Sequence, residues 1–256
     1  MSKELLQLMH QIRVKKFAKS PPKKLLLEIL HEIEVKKHYG RMRSWDLMVE
    51  MLAKWLVHNE DLTLANMGYI TAFKGLRTEK DELYKHIDSL NLLQHYVTAA
   101  KAKPWDYIGE VYMDMRLVGP GQNTTPRQIV DMMIKMTYPE KVTKVSTQLD
   151  PCVGTGRFLI EASVLMPDAP LILFGVEINL SLYRACLVNM AMFSKHPFSI
   201  ICADTLRLDP KITGPASKIW DLGNRWDPPD ISAFYWKPPP INPEHFSLKA
   251  FTEKDK

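Results

Sequence analysis

The sequence predicts an α/β fold, a parallel sheet flanked by helices, set behind an all-helical N-terminal region. Three observations predict it. Residues 1–103 show helical periodicity alone. After residue 142, short β-branched and apolar runs alternate with helical ones at the spacing of βαβ units. Successive strand-like runs then end in loops that carry Gly-x-Gly or a carboxylate, the side of such a sheet on which ligands bind. A chain of 256 residues, 46% apolar and 25% charged, is long enough and balanced enough to bury a full core.

Composition narrows the function classes. No run of about 18 apolar residues lacks a charge. The opening MSKELLQLMHQIRVKKF has neither the apolar core nor the cleavage site of a signal peptide, so a cytoplasmic protein that makes no membrane contact is expected. Cys152, Cys186 and Cys202 are widely spaced and have no CxxC or HxH partner, which reads as reduced, mostly buried thiols and no metal site. The net charge of +5 is concentrated at the start, where residues 1–43 hold eleven Lys or Arg against four Asp or Glu. That excess suits nucleic-acid phosphates, and it equally suits a solvated helical face.

Helices are expected over residues 5–17 and 23–37, separated by Pro21 and Pro22, which interrupt one helix and preset the next. From Ser44, a plausible N-cap, the apolar stripe Trp45, Met48, Val49, Leu52, Trp55 and Leu56 predicts a third helix. Further helices are expected over 79–89 and 90–102. A change of character at residues 103–105 divides the chain into a helical region, 1–103, and an α/β domain, 104–256. There, Thr125 as N-cap, Pro126 at the first helical position and Gln128 at the third form a capping box. Ile129, Met132, Met133 and Met136 would be that helix's buried face. Strands follow at 145–149, 171–178, 198–202 and 231–236, with helices at 157–165 and 181–194 between the first three.

The first strand runs into DPCVGTGRF, residues 150–158. Gly154 and Gly156 permit backbone angles and approach distances that a Cβ blocks, so a ligand can lie against the main chain where the next helix begins; a tight strand-to-helix turn needs the same glycines. The second strand ends at Glu177, whose two acceptor oxygens suit the two hydroxyls of a ribose or, alternatively, the N-terminus of the following helix. The third ends at Asp204, placed either to accept from an adenine amine or to cap its own loop.

In this order, GQNTTPR from Gly121, DPCVGTGRFLIEA from Asp150, GVEINLSLYRACLVNMAM from Gly175 and ICADTLRL from Ile201 resemble the amino-methyltransferases that act on adenine N6 in DNA, in particular the modification subunit of type I restriction systems. The resemblance runs over about residues 105–240 and implies a Rossmann-like class I S-adenosylmethionine-dependent methyltransferase sheet. With sixteen residues after Pro240, that sheet would be truncated after its fourth strand, leaving an edge for a second subunit or another copy of the chain to cover. By the same resemblance Gly121, Gln122, Thr124 and Thr125 would meet the methionine end of S-adenosylmethionine, and Asp150, Gly154 and Gly156 would line it. Glu177 would take the ribose and Asp204 the adenine, with Pro151, Phe158, Ile178 and Thr205 beside them. The family's aromatic pair between Gln122 and Thr125 is replaced here by Asn123 and Thr124.

In that family the fourth strand ends in Asp or Asn, two prolines and an aromatic residue. The side-chain oxygen and a proline carbonyl hold the amine of a flipped-out base, and the aromatic ring stacks on it. Here FYWKPPP places Lys237, Pro238, Pro239 and Pro240 at those positions. An ammonium has three donors and no acceptor. It also repels the sulfonium and the developing positive amine by about 4 kcal/mol at roughly 4 Å and an effective dielectric near 20, a cost on the order of a thousandfold in rate. Asp227-Pro228-Pro229-Asp230 is a second acidic Pro-Pro run, but it precedes the 231–236 strand and ends without an aromatic, and it serves as the motif only if residues 218–222 form the fourth strand. The expectation is a DNA-binding, cofactor-binding relative with impaired transfer. The alternatives are a catalytically inactive regulatory subunit or a methyltransferase acting on RNA or protein.

Overall fold

The structure, a computed structural model, describes residues 17, 20–59, 89–119, 122–138, 142 and 146–207. The helices expected over 5–17 and 79–89, apart from Phe17 and Ser89, and the strand expected over 231–236 lie outside these residues, as does the edge beside that strand.

Helix α1, Pro22–Lys37, begins with proline at its first position behind Pro21, whose extended backbone (φ −65°, ψ 148°) turns the chain into the helix. It stops at His38, a left-handed residue (φ 53°) whose N–H donates to the Glu34 carbonyl at 2.9 Å. Helix α2, Arg41–Asn59, starts earlier than its apolar stripe suggested. Ser44 is not its N-cap: the Ser44 N–H already donates within the helix to the Gly40 carbonyl at 3.0 Å, so no cap is required there. The stripe itself is as expected, with Trp45, Met48, Val49, Leu52 and Leu56 buried and Trp55 packed at the margin. Helix α3, Ser89–Ala102, buries Leu93, Tyr96 and Ala100 against the same core.

Helix α4, Tyr107–Asp114, was not foreseen. It is short, and Gly109 breaks its helical propensity. What starts it is Asp106, whose Oδ1 accepts from the Gly109 N–H at 2.8 Å. Lys23 of α1 bridges to Asp114 at 2.9 Å and Glu110 at 3.6 Å, and Tyr112 packs its ring 4.9 Å from that of Trp45. Helix α5, Arg127–Thr137, departs from expectation twice. Pro126, with extended backbone, is its cap residue, no side chain caps the helix, and Thr125 lies outside it. The face carrying Ile129, Met132, Met133 and Met136 is not buried: these residues are 43%, 50%, 43% and 77% exposed. The sequence offers two apolar faces at helical spacing, and the narrower one, Val130 and Ile134, packs on Ala162, whose small side chain lets a neighbouring helix approach.

The α/β part follows the predicted alternation: β1 (Ser146–Asp150), α6 (Arg157–Leu165), β2 (Leu171–Glu177), α7 (Leu180–Phe193), β3 (Phe198–Cys202) and a 3₁₀ turn, Thr205–Arg207. Among the described residues the strands form one sheet in the order β1-β2-β3, parallel throughout. The central strand β2 is apolar on both faces, as a strand covered on both sides must be. Its register sets Asp150 beside Gly175 and Glu177 beside Cys202, which brings the three carboxyl ends to one edge of the sheet. Helix α7, largely buried, packs on β2, β3 and α6 and on α2, α3 and α4, so one apolar cluster runs from Leu25 through Tyr96 and Val188 to Ile200. No helix among the described residues is long and apolar enough to cross a membrane.

Candidate cofactor site

Where β1 stops, the chain must reverse into α6 within six residues, and two glycines make this possible. Gly154 (φ 57°) and Gly156 (φ 92°) both adopt the left-handed backbone that a Cβ disfavours. Gly156 also lies where a Cβ would stand 3.0 Å from Cys186 Sγ, whereas a Cβ on Gly154 would meet nothing within 4 Å. The Gly-rich loop is therefore held down at Gly156 and open above Gly154. Its closure is completed by the Val153 N–H on the Val176 carbonyl at 2.9 Å and the Gly156 N–H on the Val153 carbonyl at 2.8 Å.

Asp150 ends β1 beside this turn, its Oδ1 accepting from the Cys152 N–H at 3.0 Å. Burial pushes its carboxyl above the usual range; the Cys152 N–H works against that shift and the negative charge of Glu177 adds to it. A cation arriving there would favour the ionised form, because it removes part of what keeps the carboxylate unfavourable.

A cavity of about 340 Å³ opens between this loop and residues 122–125. Its polar wall includes Asn123, Thr124, Thr125 and Asp150, and its apolar side includes Val130, Met133, Leu149 and Phe158. Of the residues singled out in the sequence, Thr124, Thr125, Asp150, Pro151, Gly154 and Phe158 line it. The others take different positions. Gln122 braces its loop from behind, its Oε1 accepting from the Gly119 N–H at 2.8 Å and from the Tyr112 hydroxyl at 3.3 Å. Ile178 is exposed. Asp204 caps its own loop, Oδ1 accepting from the Leu206 N–H at 3.0 Å, and the Thr205 hydroxyl donates to the Pro151 carbonyl, so the third loop is fastened to the first. Gly121, Lys237, Pro238, Pro239 and Pro240 lie outside the described residues.

Glu177 is 8% exposed and joins two loops. Its Oε2 accepts from the Gly154 N–H at 2.9 Å and its Oε1 from the Asn179 N–H at 2.8 Å. The helix α7 does not depend on it for a cap, because Asn179 Oδ1 takes the Ser181 and Leu182 N–H groups at 2.9 and 3.2 Å. Each carboxylate oxygen keeps a second lone pair for another donor. The thiols are less uniform than their sequence context implied: Cys186 is buried, Cys202 half-buried and Cys152 exposed on the cavity rim.

The feature that sequence reasoning missed lies behind both loops. Asp106, 1% exposed, accepts from the Thr155 hydroxyl at 2.6 Å and from Arg157 Nε at 3.1 Å through Oδ2, and from Asn189 Nδ2 at 2.8 Å through Oδ1. Arg157 continues outward, donating from Nη1 to the Thr125 carbonyl at 2.8 Å. Trp105 lies beside two guanidinium groups, with those of Arg127 and Arg157 4.6 and 5.0 Å from its ring centre. Arg127 in turn meets Glu161, a carboxyl that burial pushes upward, at 3.2 Å. The one available signal was an Asp and a Gly three residues apart directly after Lys-Pro-Trp, a capping pattern whose partners lie far along the chain.

No curated protein sequence matches this chain. Among solved structures, it is similar to the methyltransferase subunit of a type I restriction-modification system from Streptococcus thermophilus, with 17% identity and a TM-score of 0.36 over 78% of this chain and 47% of that one. The chain thus spans about half the length of that subunit. Residues 105–221 match the sequence model of the N-6 DNA Methylase family, a stretch that begins at Trp105 and takes in both cavity loops, Asp106, Glu177 and Asp204. The chain is thus similar to the N-6 DNA Methylase family over residues 105–221.

Proposed function

We propose that residues 104–256 form a Rossmann-like, S-adenosylmethionine-binding domain of the N6-adenine DNA methyltransferase type, that DNA is its macromolecular partner, and that methyl transfer by this chain alone is impaired. The observation that carries the reading is the 340 Å³ cavity between the 122–125 loop and the Gly-rich loop, with Asp150 in its wall. The space above Gly154, which a side chain there would fill, is the kind of cradle a ligand lying on main chain requires.

In this reading Asn123, Thr124 and Thr125 hold the amino-acid end of the cofactor, Asp150 offers negative charge to its sulfonium, and Glu177 receives the ribose hydroxyls on the lone pairs that Gly154 and Asn179 leave free. The bound cofactor supplies an electrophilic methyl group. The remaining requirement is an acceptor that orients the target amine, and Lys237 has none to offer. Loss of that acceptor favours, as a second reading, an inactive regulatory subunit that retains the cofactor site. The basic start of the chain is the natural candidate for contact with DNA phosphates.

Transfer of a labelled methyl group to adenine in DNA tests this. Lys237→Asp restores an acceptor and removes the repulsion, so incorporation is expected to rise by on the order of a thousandfold over the unaltered chain. Vigorous incorporation by the unaltered chain, unchanged or lowered by the substitution, would contradict the assignment of Lys237. Absence of incorporation in both would remove methyl transfer to DNA from the proposal.

A further inference from the structure

Asp106 does not line the cavity, yet it is bonded to one of the loops that do and linked through Arg157 to the other. Toward the Gly-rich loop it takes the Thr155 hydroxyl at 2.6 Å. Toward the 122–125 loop it acts through Arg157, whose Nε and Nη2 lie 3.1 Å from Oδ2 and whose Nη1 holds the Thr125 carbonyl at 2.8 Å. Asn189 of α7 closes the cluster, its Nδ2 bonded at 2.8 Å both to Asp106 Oδ1 and to the Thr155 carbonyl. The approach of α4 that makes this possible depends on Gly109: a Cβ there would stand 2.1 Å from Asp106 Oδ2 and 2.4 Å from Thr155 Oγ1. Such a distance is far inside any real contact, so the cluster and the glycine require each other.

Thr155 is the only residue between two left-handed glycines, the most permissive backbone in the loop. Left to itself, such a segment samples many conformations, and a cofactor that needs one of them would bind more weakly in proportion. Thr155 itself lines the cavity, with its hydroxyl committed to Asp106, so that bond sets a residue of the cavity wall.

We propose that Asp106 is a positioning residue of the cofactor site, which fixes, through Thr155 and Arg157, the separation of the two loops between which the cofactor binds. The helical segment that opens the family region is thereby part of the site's construction. The inference rests on reading the cavity as an S-adenosylmethionine site, and its test separates the two.

Two substitutions in the full chain divide the hydrogen bond from packing. Thr155→Ser keeps the hydroxyl and loses a methyl group; Thr155→Val keeps the volume and loses the donor. Calorimetric titration with S-adenosylmethionine is expected to find the Ser variant within about threefold of the unaltered protein and the Val variant weaker on the order of tenfold, the worth of one hydrogen bond to a charged group. Added to Asp106→Asn, the Val change should alter affinity less than about twofold, since the bond it removes is already lost. A packing role would reverse the order, with Val ahead of Ser, and would overturn the proposal. Hydrogen exchange at the amides of residues 154–157 without cofactor supplies the second readout. Faster exchange in Thr155→Val than in Thr155→Ser supports positioning even if the unaltered protein binds no S-adenosylmethionine, a result that would remove the functional reading alone. Equal rates in the two variants would remove the positioning role.

Discussion

Asp106→Ala is expected to lower the free energy of unfolding by about 4 kcal/mol, the largest stability effect of any single truncation around the site. Its magnitude comes from what is left behind. Arg157, 8% exposed, would lose its counter-charge and remain in the interior, and breaking a buried pair from one side costs about 3–5 kcal/mol. Helix α4 would lose its cap, about 1 kcal/mol more, partly offset by relaxation of Arg157 toward the cavity. In a two-state thermal melt this is a drop of about 10 °C for a domain of this size. Asp106→Asn should fall between, because the amide still offers an oxygen to the Gly109 N–H but turns its donor toward both Thr155 and Arg157, which share Oδ2. A melt unchanged to within about 1 kcal/mol would show that the cluster is not held as the structure describes.

Glu177→Ala is expected to lower S-adenosylmethionine affinity by on the order of a hundredfold. One carboxylate serves three demands: the Gly154 N–H, the Asn179 N–H and, in the proposed complex, the ribose hydroxyls. Hydrogen bonds to a charged acceptor are worth about 1.5–3 kcal/mol each, so losing the ribose contact alone accounts for at least tenfold, and release of Gly154 from its anchor supplies the rest. Helix α7 should survive, because Asn179 caps it independently. The variant should therefore keep its circular dichroism while losing the ligand. Undiminished affinity would move the ribose elsewhere.

What could be read from the sequence follows a physical division. The strands β1, β2 and β3 and the helices between them were legible to within a residue or so: β2 because burial on both faces forces a continuous apolar run, and the polar β1, STQLD, because the Gly-rich loop and the crossover spacing follow it. The left-handed Gly154 and Gly156 were legible because a glycine pair after a strand has few other uses. The buried face of α5 was not: Ile129, Met132, Met133 and Met136 are as well spaced as Val130 and Ile134, and only the presence of Ala162 on the neighbouring helix decides between them. Asp106 was least legible of all. Its partners Thr155, Arg157 and Asn189 stand 49, 51 and 83 residues away in the chain, and local patterns carry no trace of pairings at that range. That β2 ends at Glu177 was legible, while its bond to Gly154, which couples the two loops, required the structure.

The central claim is that the cavity between the 122–125 loop and the Gly-rich loop is built for S-adenosylmethionine. Calorimetric titration of the unaltered chain with that compound tests it most directly. Saturable binding at one site per chain is expected, abolished by Asp150→Ala in protein that remains folded. No binding at millimolar ligand, or binding that Asp150→Ala leaves unchanged, would contradict it.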